Sequence, residues 1–499
     1  MRYFAMDLVR FGVYHKSYDQ RVQLADEKNG YTTVFPIPQK SIDLNPKLKP
    51  KNRLTQTRFI CLGFIMIILL GTLLLMTPIA SRSHTVTPFL DSMFTALSAT
   101  CVTGLVVVDT FTHWTLFGQL VIITLIQIGG LGFITIGVAF SLLLRNRIGL
   151  KARGLMQESI NSVKIGGIIK LAKKILVGTF IVEGTGALIL GIRFSFDFGF
   201  VRGMYYGIFH AISAFCNGGF DLMGRLEPYS SLTYYAGDVV VNVVICSLII
   251  IGGIGFVVWD DITTNGLHFK KYRLHTKIVL VTTAFLLISG TLLFYITEYN
   301  NTMKGMNVGE RILASFFSAS TARTAGFNSV DTGSLTSASK LLTCVLMFIG
   351  GSPGSTAGGI KTTTIFILVV SLWSGITDRH KTAVFKRRFE DDAIKKASTV
   401  FTLNMFLAIF ALFTILAITD LSLSVSLMFL AYDAYFLLLG CEVKTFFFHC
   451  CAAPIGPCVF FLTETFGAGE LLPRPFILTA LLRRFPFCCT FPEVTLGCR

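Results

Sequence analysis

The segment that decides the fold of this chain is Phe94-Thr-Ala-Leu-Ser-Ala-Thr-Cys-Val-Thr-Gly104, because the chain repeats it twice without gaps. The second copy is Phe209-His-Ala-Ile-Ser-Ala-Phe-Cys-Asn-Gly-Gly219, and the third is Phe316-Phe-Ser-Ala-Ser-Thr-Ala-Arg-Thr-Ala-Gly326. In each copy a Phe stands ten residues before a Gly, and most residues between them are small. Such an internal repeat indicates one structural unit that is used several times.

Long apolar runs lie on both sides of each copy. The regular runs cover roughly residues 59–79, 116–144, 168–192, 237–259, 276–297, 338–373 and 399–419, and a less regular one covers 435–463. About 20 apolar residues suffice for a helix to cross a bilayer, and backbone groups surrounded by lipid must be bonded within their own segment. We therefore predict units that consist of a helix, a half-helix with a loop, and a second helix.

The composition supports a membrane protein. Apolar residues make up 53% of the chain and charged residues 14%, with a mean hydropathy of +0.66. A soluble domain has about 25% charged residues, so the missing surface charge indicates that much of the surface faces the lipid bilayer. We predict an all-α, multi-pass protein of the cell membrane.

Basic residues are concentrated in alternate connections. The chain carries 44 Lys and Arg against 28 Asp and Glu, a formal net charge of +16. Residues 145–174 hold eight basic residues and one acid, and residues 1–58 and 378–396 also have a basic surplus. Because cytoplasmic loops of membrane proteins are rich in Lys and Arg, we predict a cytoplasmic N-terminus. The positive charge then reflects topology, and no nucleic-acid partner is expected.

The repeated segments are typical of a pore. A half-helix and loop are tolerated at membrane depth only where they line a cavity, and a ring of backbone carbonyls can replace the water around a monovalent cation. Gly104, Gly219 and Gly326 suit such loops, because glycine adopts backbone angles that other residues resist. Ordinary extracellular turns are the alternative, but three in-register copies favour the pore. Arg323 would repel a cation, so we expect it behind the loop, holding carbonyls or an acid.

An acidic residue follows each repeated glycine: Asp109, Asp221 and Asp331. Carboxylates at the outer mouth of a pore would concentrate cations there. A solvated loop, or a cap for the next helix, explains these residues equally well.

The apolar run at 338–373 is interrupted by a stretch that we call the small-residue loop: Gly350, Gly351, Ser352, Pro353, Gly354, Ser355, Thr356, Ala357, Gly358 and Gly359. Such a stretch cannot continue a helix through lipid, so we predict an irregular loop inside the protein, below the repeated glycines. In that place it would act as a movable gate. The alternative is a kink at Pro353 that serves packing alone.

Six motifs follow one another over about residues 55–429: Cys101-Val-Thr-Gly104-Leu, Gln127-Ile-Gly-Gly-Leu-Gly-Phe133, His210-Ala-Ile-Ser-Ala-Phe215, Leu274-His-Thr-Lys277, Thr324-Ala-Gly-Phe-Asn-Ser329 and Ser355-Thr-Ala-Gly-Gly-Ile-Lys361. In residues and order they resemble the membrane subunits of Ktr-type potassium uptake systems, within the Trk/Ktr/HKT superfamily. The resemblance implies four pseudo-repeated helix–pore-loop–helix units around one pore, with a carbonyl-lined selectivity filter and an intramembrane gate. It also implies a homodimer whose opening is controlled by a cytoplasmic nucleotide-binding ring.

The resemblance also implies the cargo and the filter residues. The implied cargo is K⁺, with Na⁺ as an alternative coupling ion, and neither a covalent cofactor, another metal nor an enzymatic activity is implied. Carried over onto this sequence, the filter consists of three sets of four residues: Cys101, Val102, Thr103, Gly104; Cys216, Asn217, Gly218, Gly219; and Arg323, Thr324, Ala325, Gly326.

The predicted organisation has six parts: a cytoplasmic N-terminal segment at 1–56, pore unit 1 at 57–144, pore unit 2 at 168–260, pore unit 3 at 275–373, a degenerate unit 4 at 397–463 and an aberrant tail at 464–499. In unit 4, Leu439 stands ten residues after Phe429, where a glycine is expected. Beyond Phe429 neither the family pattern nor helical periodicity continues. A reading-frame shift in the underlying gene would explain this change.

Three alternatives stay open. The first is a Na⁺-selective or Na⁺/K⁺-coupled transporter of the same fold, although a Ser at a filter position would argue for Na⁺ and all three positions are Gly. The second is a frame-shifted, non-functional copy. The third is a membrane-embedded enzyme or receptor, which would need facing intramembrane acids or histidines. Glu183 and His210 are the only candidates for that role, and they are isolated.

Overall fold

The computed structural model describes residues 24–25, 32–33, 56–132, 135, 168–266, 268–378, 383–384, 387–389 and 391–418. The chain divides into two compact units, Met1–Leu54 and Thr55–Arg499. In the first unit the described residues form two short antiparallel strands, β1 (Leu24–Ala25) and β2 (Thr32–Thr33).

The described part of the second unit is almost entirely helical. Its helices are α1 (Gln56–Leu75), α2 (Phe89–Cys101), α3 (Thr110–His113), α4 (Leu116–Leu131), α5 (Ile168–Phe198), α6 (Phe200–Phe215), α7 (Val239–Gly253), α8 (Phe256–Asn265), α9 (Leu274–Glu298), α10 (Val308–Thr321), α11 (Ser337–Phe348), α12 (Thr362–Ile376) and α13 (Asp391–Ile418). Three 3₁₀ turns (Met223–Arg225, Thr233–Tyr235, Phe269–Lys271) and a two-stranded pair, β3 (Ala383–Val384) and β4 (Arg387–Arg388), complete it. The predicted all-α fold is confirmed, with these short strands as its only described additions.

Several helices are long and apolar enough to cross a membrane. Among the described residues three meet both criteria, namely most of α5, all of α9 and the first part of α13, and α7 with α8 makes a fourth if they form one bent span. Apolar side chains on these helices are exposed outward, including Phe196 (81% exposed) and Phe285 (67%). Such exposure is unfavourable in water and favourable in lipid, which agrees with a multi-pass membrane protein.

The apolar run at 237–259 is not one continuous helix, as we predicted, but two. Helix α7 ends at Gly253, and α8 starts at Phe256 and runs at 96° to it. Gly255 lies between them with φ +94°, in a region that residues with a Cβ rarely adopt. The N–H of Phe256 donates to the carbonyl of Gly354 at 2.8 Å instead of continuing the ladder of α7. The run is apolar throughout, so such a break cannot be predicted from its hydrophobic pattern.

The three short helices α2, α6 and α10 stand among the longer ones and correspond to the repeated segments. Helix α2 packs against α1 and α4, α6 against α5 and α7, and α10 against α7 and α9. The contacts are close because the facing residues are small, as with Ala96 and Ala214, which are fully buried. This packing brings the C-terminal ends of the three short helices into the interior.

Candidate functional site

The three repeated segments end in the same backbone conformation. We call residues 101–104, 216–219 and 323–326 the first, second and third glycine segments. The final glycines have φ +76° (Gly104), +67° (Gly219) and +85° (Gly326). Two residues earlier, φ is also positive in each segment: Val102 at +57°, Asn217 at +60° and Thr324 at +72°. Residues with a Cβ adopt such angles rarely, so three copies of this pattern indicate a conformation that the surrounding fold enforces.

The three glycines meet at one place. A Cβ added to Gly326 would lie 3.1 Å from the Cα of Gly219 and 3.6 Å from the Cα of Gly104. A Cβ added to Gly104 would lie 2.9 Å from the carbonyl oxygen of Gly218. Real Cβ atoms essentially never approach other atoms within 3.0 Å. Backbone atoms of three separate segments therefore converge where no side chain fits.

Each half-helix supplies a hydroxyl that fixes the residue after its glycine. The Ser98 hydroxyl donates to the carbonyl of Leu105 at 2.7 Å, and the Ser213 hydroxyl donates to that of Phe220 at 2.7 Å. In the third copy the Thr321 hydroxyl donates to the carbonyl of Phe327 at 2.6 Å. The segments are thus held by similar bonds, although the third donor stands one position later in the repeat than the first two.

Glycine pairs let the following helices pack on the ends of the half-helices. A Cβ on Gly129 would overlap the carbonyl oxygen of Thr100, and one on Gly252 would overlap that of Phe215. Both belong to an Ile-Gly-Gly sequence, at 128–130 and 251–253. The third copy, at 349–351, opens the small-residue loop. Sequence reasoning treated these last glycines only as part of a gate and missed that they complete the repeat.

The small-residue loop is buried against the second and third units. Its Ser352 N–H donates to the carbonyl of Gly253 at 3.0 Å, and its Thr356 hydroxyl donates to the carbonyl of Phe215 at 3.0 Å. Its Gly358 N–H donates to the hydroxyl of Thr324 at 3.3 Å. The loop therefore contacts the end of half-helix α6 and a residue of the third glycine segment directly.

Arg323 is the first residue of the third glycine segment, and its side chain is only 6% exposed. Its Nη2 donates to the carbonyl oxygen of Gly350 at 3.5 Å. The side chain lines a small cavity together with Asn217, Ser320 and Ala357. Of the two partners that we expected for Arg323, the described residues supply a carbonyl and no acid.

The three acids after the glycines accept backbone hydrogen bonds. Asp109 caps α3 through Phe111 and Thr112 at 3.0 and 2.7 Å, and it also accepts from the N–H of Tyr229 at 3.1 Å. Asp221 accepts from Met223 at 2.9 Å, and Asp331 accepts from Gly333 at 2.9 Å. Burial, with a smaller contribution from the charge of Asp109, raises the pKa of Asp221 to about 7. All three acids hold loops in place, whatever further role their charges have.

A family model described as a cation transport protein, TrkH, matches residues 43–435. The chain belongs to the TrkH family of cation transporters. It is 41% identical to the Ktr system potassium uptake protein B of Bacillus subtilis, over 77% of this chain and 84% of that protein. It is 40% identical to the potassium/sodium uptake protein NtpJ of Enterococcus hirae, over 75% of this chain and 82% of that protein. The resemblance to Ktr and Trk transporters is thereby confirmed, and the chain is a transporter rather than an enzyme.

A solved structure shares the fold of this TrkH-family chain. The potassium transporter TrkH of Vibrio parahaemolyticus matches with a TM-score of 0.61 at 16% sequence identity, covering 82% of this chain and 86% of that one. The family match ends at residue 435, shortly after Phe429, where the sequence pattern changes. Residues 419–499 lie outside the described part, and with them the predicted fourth glycine position and the aberrant tail.

Two polar groups in this TrkH-family chain have structural roles that the sequence did not show. His210 donates through Nδ1 to the carbonyl of Tyr206 at 2.7 Å, because its Nε2 accepts from the N–H of Leu222 at 3.4 Å. Glu183 is bonded to Gln127, which lies in another predicted unit. Among the described residues no group of three His, Cys, Asp or Glu could hold a metal ion. Neither residue therefore supports the enzyme alternative.

Proposed function

We propose that this chain takes up K⁺ through a filter formed by the three glycine segments and a fourth contribution from unit 4. The observation that carries the proposal is the convergence of Gly104, Gly219 and Gly326 with the same positive φ. Residues with negative and positive φ alternate along each segment, so that successive carbonyl oxygens point toward the same side. There they can replace the water around a cation. The names of relatives such as the Ktr system potassium uptake proteins support K⁺ as the cargo.

The half-helices contribute electrostatically. Helices α2, α6 and α10 end at the glycine segments with their C-termini. The C-terminal end of a helix carries roughly half a negative charge, which acts within its last turn. Three such ends near one point favour a dehydrated cation there without placing an ionised side chain beside it. Because the compensating charge is diffuse, the ion is not trapped.

The small-residue loop is the gate in this proposal. Its hydrogen bonds to the rest of the protein include those to Gly252, Gly253, Phe215, Phe256 and Thr324, and each is worth about 1 kcal/mol net. Small side chains leave little packing to break when the loop moves. The ion path would therefore open when a few weak bonds are exchanged, on the timescale of a loop motion.

Topology and partners follow from the same proposal. The basic residues of segments 1–58, 145–174 and 378–396 support a cytoplasmic N-terminus. Three relatives are named as components of a Ktr system, which supports a membrane subunit that works with other Ktr components. We propose a homodimer with a cytoplasmic nucleotide-binding ring as that partner.

A second candidate is coupled transport of Na⁺ and K⁺. It is favoured by the name of the potassium/sodium uptake protein NtpJ, which is 40% identical to this chain. Uptake of K⁺ by membrane vesicles with and without Na⁺ separates the two candidates. Uptake that requires Na⁺ would support coupling, and uptake that is unaffected by Na⁺ would exclude it.

Growth of a bacterial strain without K⁺ uptake on limiting K⁺ tests the main proposal. The chain with its present sequence is compared with a repaired version whose residues after Phe429 restore a fourth glycine segment. Membrane expression is verified for both. Rescue by either version supports K⁺ uptake. Rescue by the repaired version alone indicates that the present sequence is a frame-shifted copy. Failure of both versions refutes K⁺ uptake.

A further inference from the structure

A buried carboxyl group links two units behind the second glycine segment. Glu183 lies near the middle of α5 and is 5% exposed. Each of its two carboxyl oxygens is 3.1 Å from the Nε2 of Gln127, which donates to it from the last part of α4. Helix α4 closes the first unit and α5 opens the second. The pair therefore joins the two units inside the protein.

The same pair contacts the beginning of the second glycine segment. Cys216 directly follows α6, and its Sγ lies 3.6 Å from the Oε1 of Gln127 and 4.0 Å from the Oε1 of Glu183. On another side the thiol packs against α4, where a Cβ on Gly130 would lie 2.6 Å from Sγ. Two residues later in the chain, Asn217 and Gly218 lead into Gly219. These contacts of Cys216 therefore fix the position of the first residue of the second glycine segment.

Packing alone does not explain an acid at this place. A carboxyl group within a membrane-spanning helix is costly unless it is bonded to other groups. In the described part of the chain Glu183 forms no ion pair, and its contacts are with Gln127 and Cys216. A Leu would fill the volume without this cost. What Glu183 supplies is a pair of oxygens that accept from the Gln127 amide, and a fixed neighbour for the thiol.

We infer that Glu183 and Gln127 are positioning residues that hold the second glycine segment in register and thereby set the cation preference of the filter. The inference rests on the proposed function, since it assigns a role within the K⁺ filter. Carbonyl position and stiffness decide how well a filter distinguishes K⁺ from Na⁺. If the Glu183 carboxyl is removed, the Gln127 amide loses its acceptor. Gln127 is then free to move, and with it the oxygen that accepts from the Cys216 thiol, so the segment relaxes.

The variants separate positioning from mere stability. Glu183→Ala and Gln127→Ala remove the bond, whereas Glu183→Gln keeps an oxygen that accepts from Gln127. Thr179→Val is the matched control, because Thr179 is a buried residue one turn earlier on α5 whose hydroxyl has no polar partner among the described residues. All variants are made in the full chain, and uptake of K⁺, Rb⁺ and Na⁺ is measured in membrane vesicles.

The expected result is a fall in the K⁺/Na⁺ uptake ratio of about threefold or more for both Ala variants. Glu183→Gln and Thr179→Val should keep the parent ratio. The inference is overturned if the Ala variants lower uptake of all three ions equally, because that pattern reflects only loss of folded protein. It is also overturned if Thr179→Val changes the ratio as much as Glu183→Ala does.

A second measurement does not depend on transport. Modification of Cys216 by N-methylmaleimide in native membranes is followed by mass spectrometry of the peptide. The inference requires faster modification in Glu183→Ala than in the parent and in Thr179→Val, and equal rates overturn it. If the parent takes up no K⁺, the proposed function fails while the rate at Cys216 still decides whether Glu183 positions the segment.

Discussion

The second and third units begin alike and then diverge after their Ile-Gly-Gly sequence. In the second unit α7 ends at Gly253 and the chain resumes as a helix at Phe256, bent by 96°. In the third unit α11 ends at Phe348 and the next helix starts only at Thr362. The residues between them fold back as the small-residue loop. A break at this point is therefore common to both units, and the proposed gate is an enlarged break.

The small-residue loop packs on the break of the second unit. The loop bonds to the break of the second unit, through Ser352 to Gly253 and through Phe256 to Gly354. A Cβ on Gly255 would lie 2.7 Å from the carbonyl oxygen of Pro353. The space beside Gly255 is therefore occupied by the backbone of the loop. The short break of the second unit thus forms the surface on which the long break of the third unit packs.

The largest effect is expected at the feature that the units share, the converging glycines. In Gly219→Ala the new Cβ would lie 2.7 Å from the carbonyl oxygen of Ala325 and 2.9 Å from the Cα of Gly326, at a φ of +67°. We expect K⁺ uptake to fall by a factor on the order of 100, since backbone strain and crowding act together. Uptake by intact cells on limiting K⁺ measures the loss.

Gly305→Ala is the matched control for this prediction. Gly305 also has a positive φ, +91°, but a Cβ there meets nothing within 4 Å. Gly305→Ala therefore introduces the backbone strain of a positive φ without the steric crowding. Equal losses of uptake in the two variants would show that convergence of the glycines is not what matters.

Gly252→Ala and Gly350→Ala test whether the two breaks differ as described. The Cβ at 252 would overlap the carbonyl oxygen of Phe215 in half-helix α6, and the Cβ at 350 would overlap that of Gly358 in the loop. Because α6 is packed inside the protein, the first variant should fold poorly, with a loss of about 3 kcal/mol. The second should fold and should leak K⁺, since only the loop must move. The recovery of monodisperse protein and the passive K⁺ flux check the two parts.

The opposite pattern would reverse the roles of the breaks. If Gly350→Ala prevents folding and Gly252→Ala leaks, the loop of the third unit is the fixed structure and the bend of the second unit is the moving part. If both variants fold and neither leaks, the loop is not a gate.

The repeat allowed much of this site to be predicted from the sequence, because aligned positions proved to have equivalent conformations. Gly104, Gly219 and Gly326 were chosen by register alone, and the fold brings them together. The left-handed angle at Val102 could not be predicted, since a β-branched residue adopts it only under constraint from its surroundings. The pairing of Gln127 with Glu183 was also hidden, because it depends on the packing of two distant runs. For the fourth unit the prediction remains a prediction.

A smaller effect is expected for one bond of the loop. Thr356→Val keeps the shape of the side chain and removes the hydroxyl that donates to Phe215 at 3.0 Å. Losing one such bond costs about 1 kcal/mol, so the open state should gain about fivefold in population. We expect K⁺ flux to rise by a similar factor when the gate limits transport. Thr399→Val, which removes an exposed hydroxyl of α13 that donates to the Lys395 carbonyl of the same helix, is the control and should leave the flux unchanged. A flux in Thr356→Val equal to that of the parent would mean that this bond does not hold the gate closed.

The smallest effect is expected in the pH dependence of uptake, which should depend on Asp221 of the second unit and not on Asp331 of the third. The pKa of Asp221 is raised to about 7 by burial first and by the charge of Asp109 second, so this carboxyl is neutral at lower pH and ionised at higher pH. If its charge concentrates cations near the glycine segments, uptake at limiting K⁺ should rise about twofold between roughly pH 6 and pH 8. Asp221→Asn should abolish this rise, whereas Asp331→Asn should keep it, because Asp221 is still present. A rise that persists in Asp221→Asn would assign the pH dependence to another group and would leave Asp221 with the role of holding its loop through Met223 and Ser231.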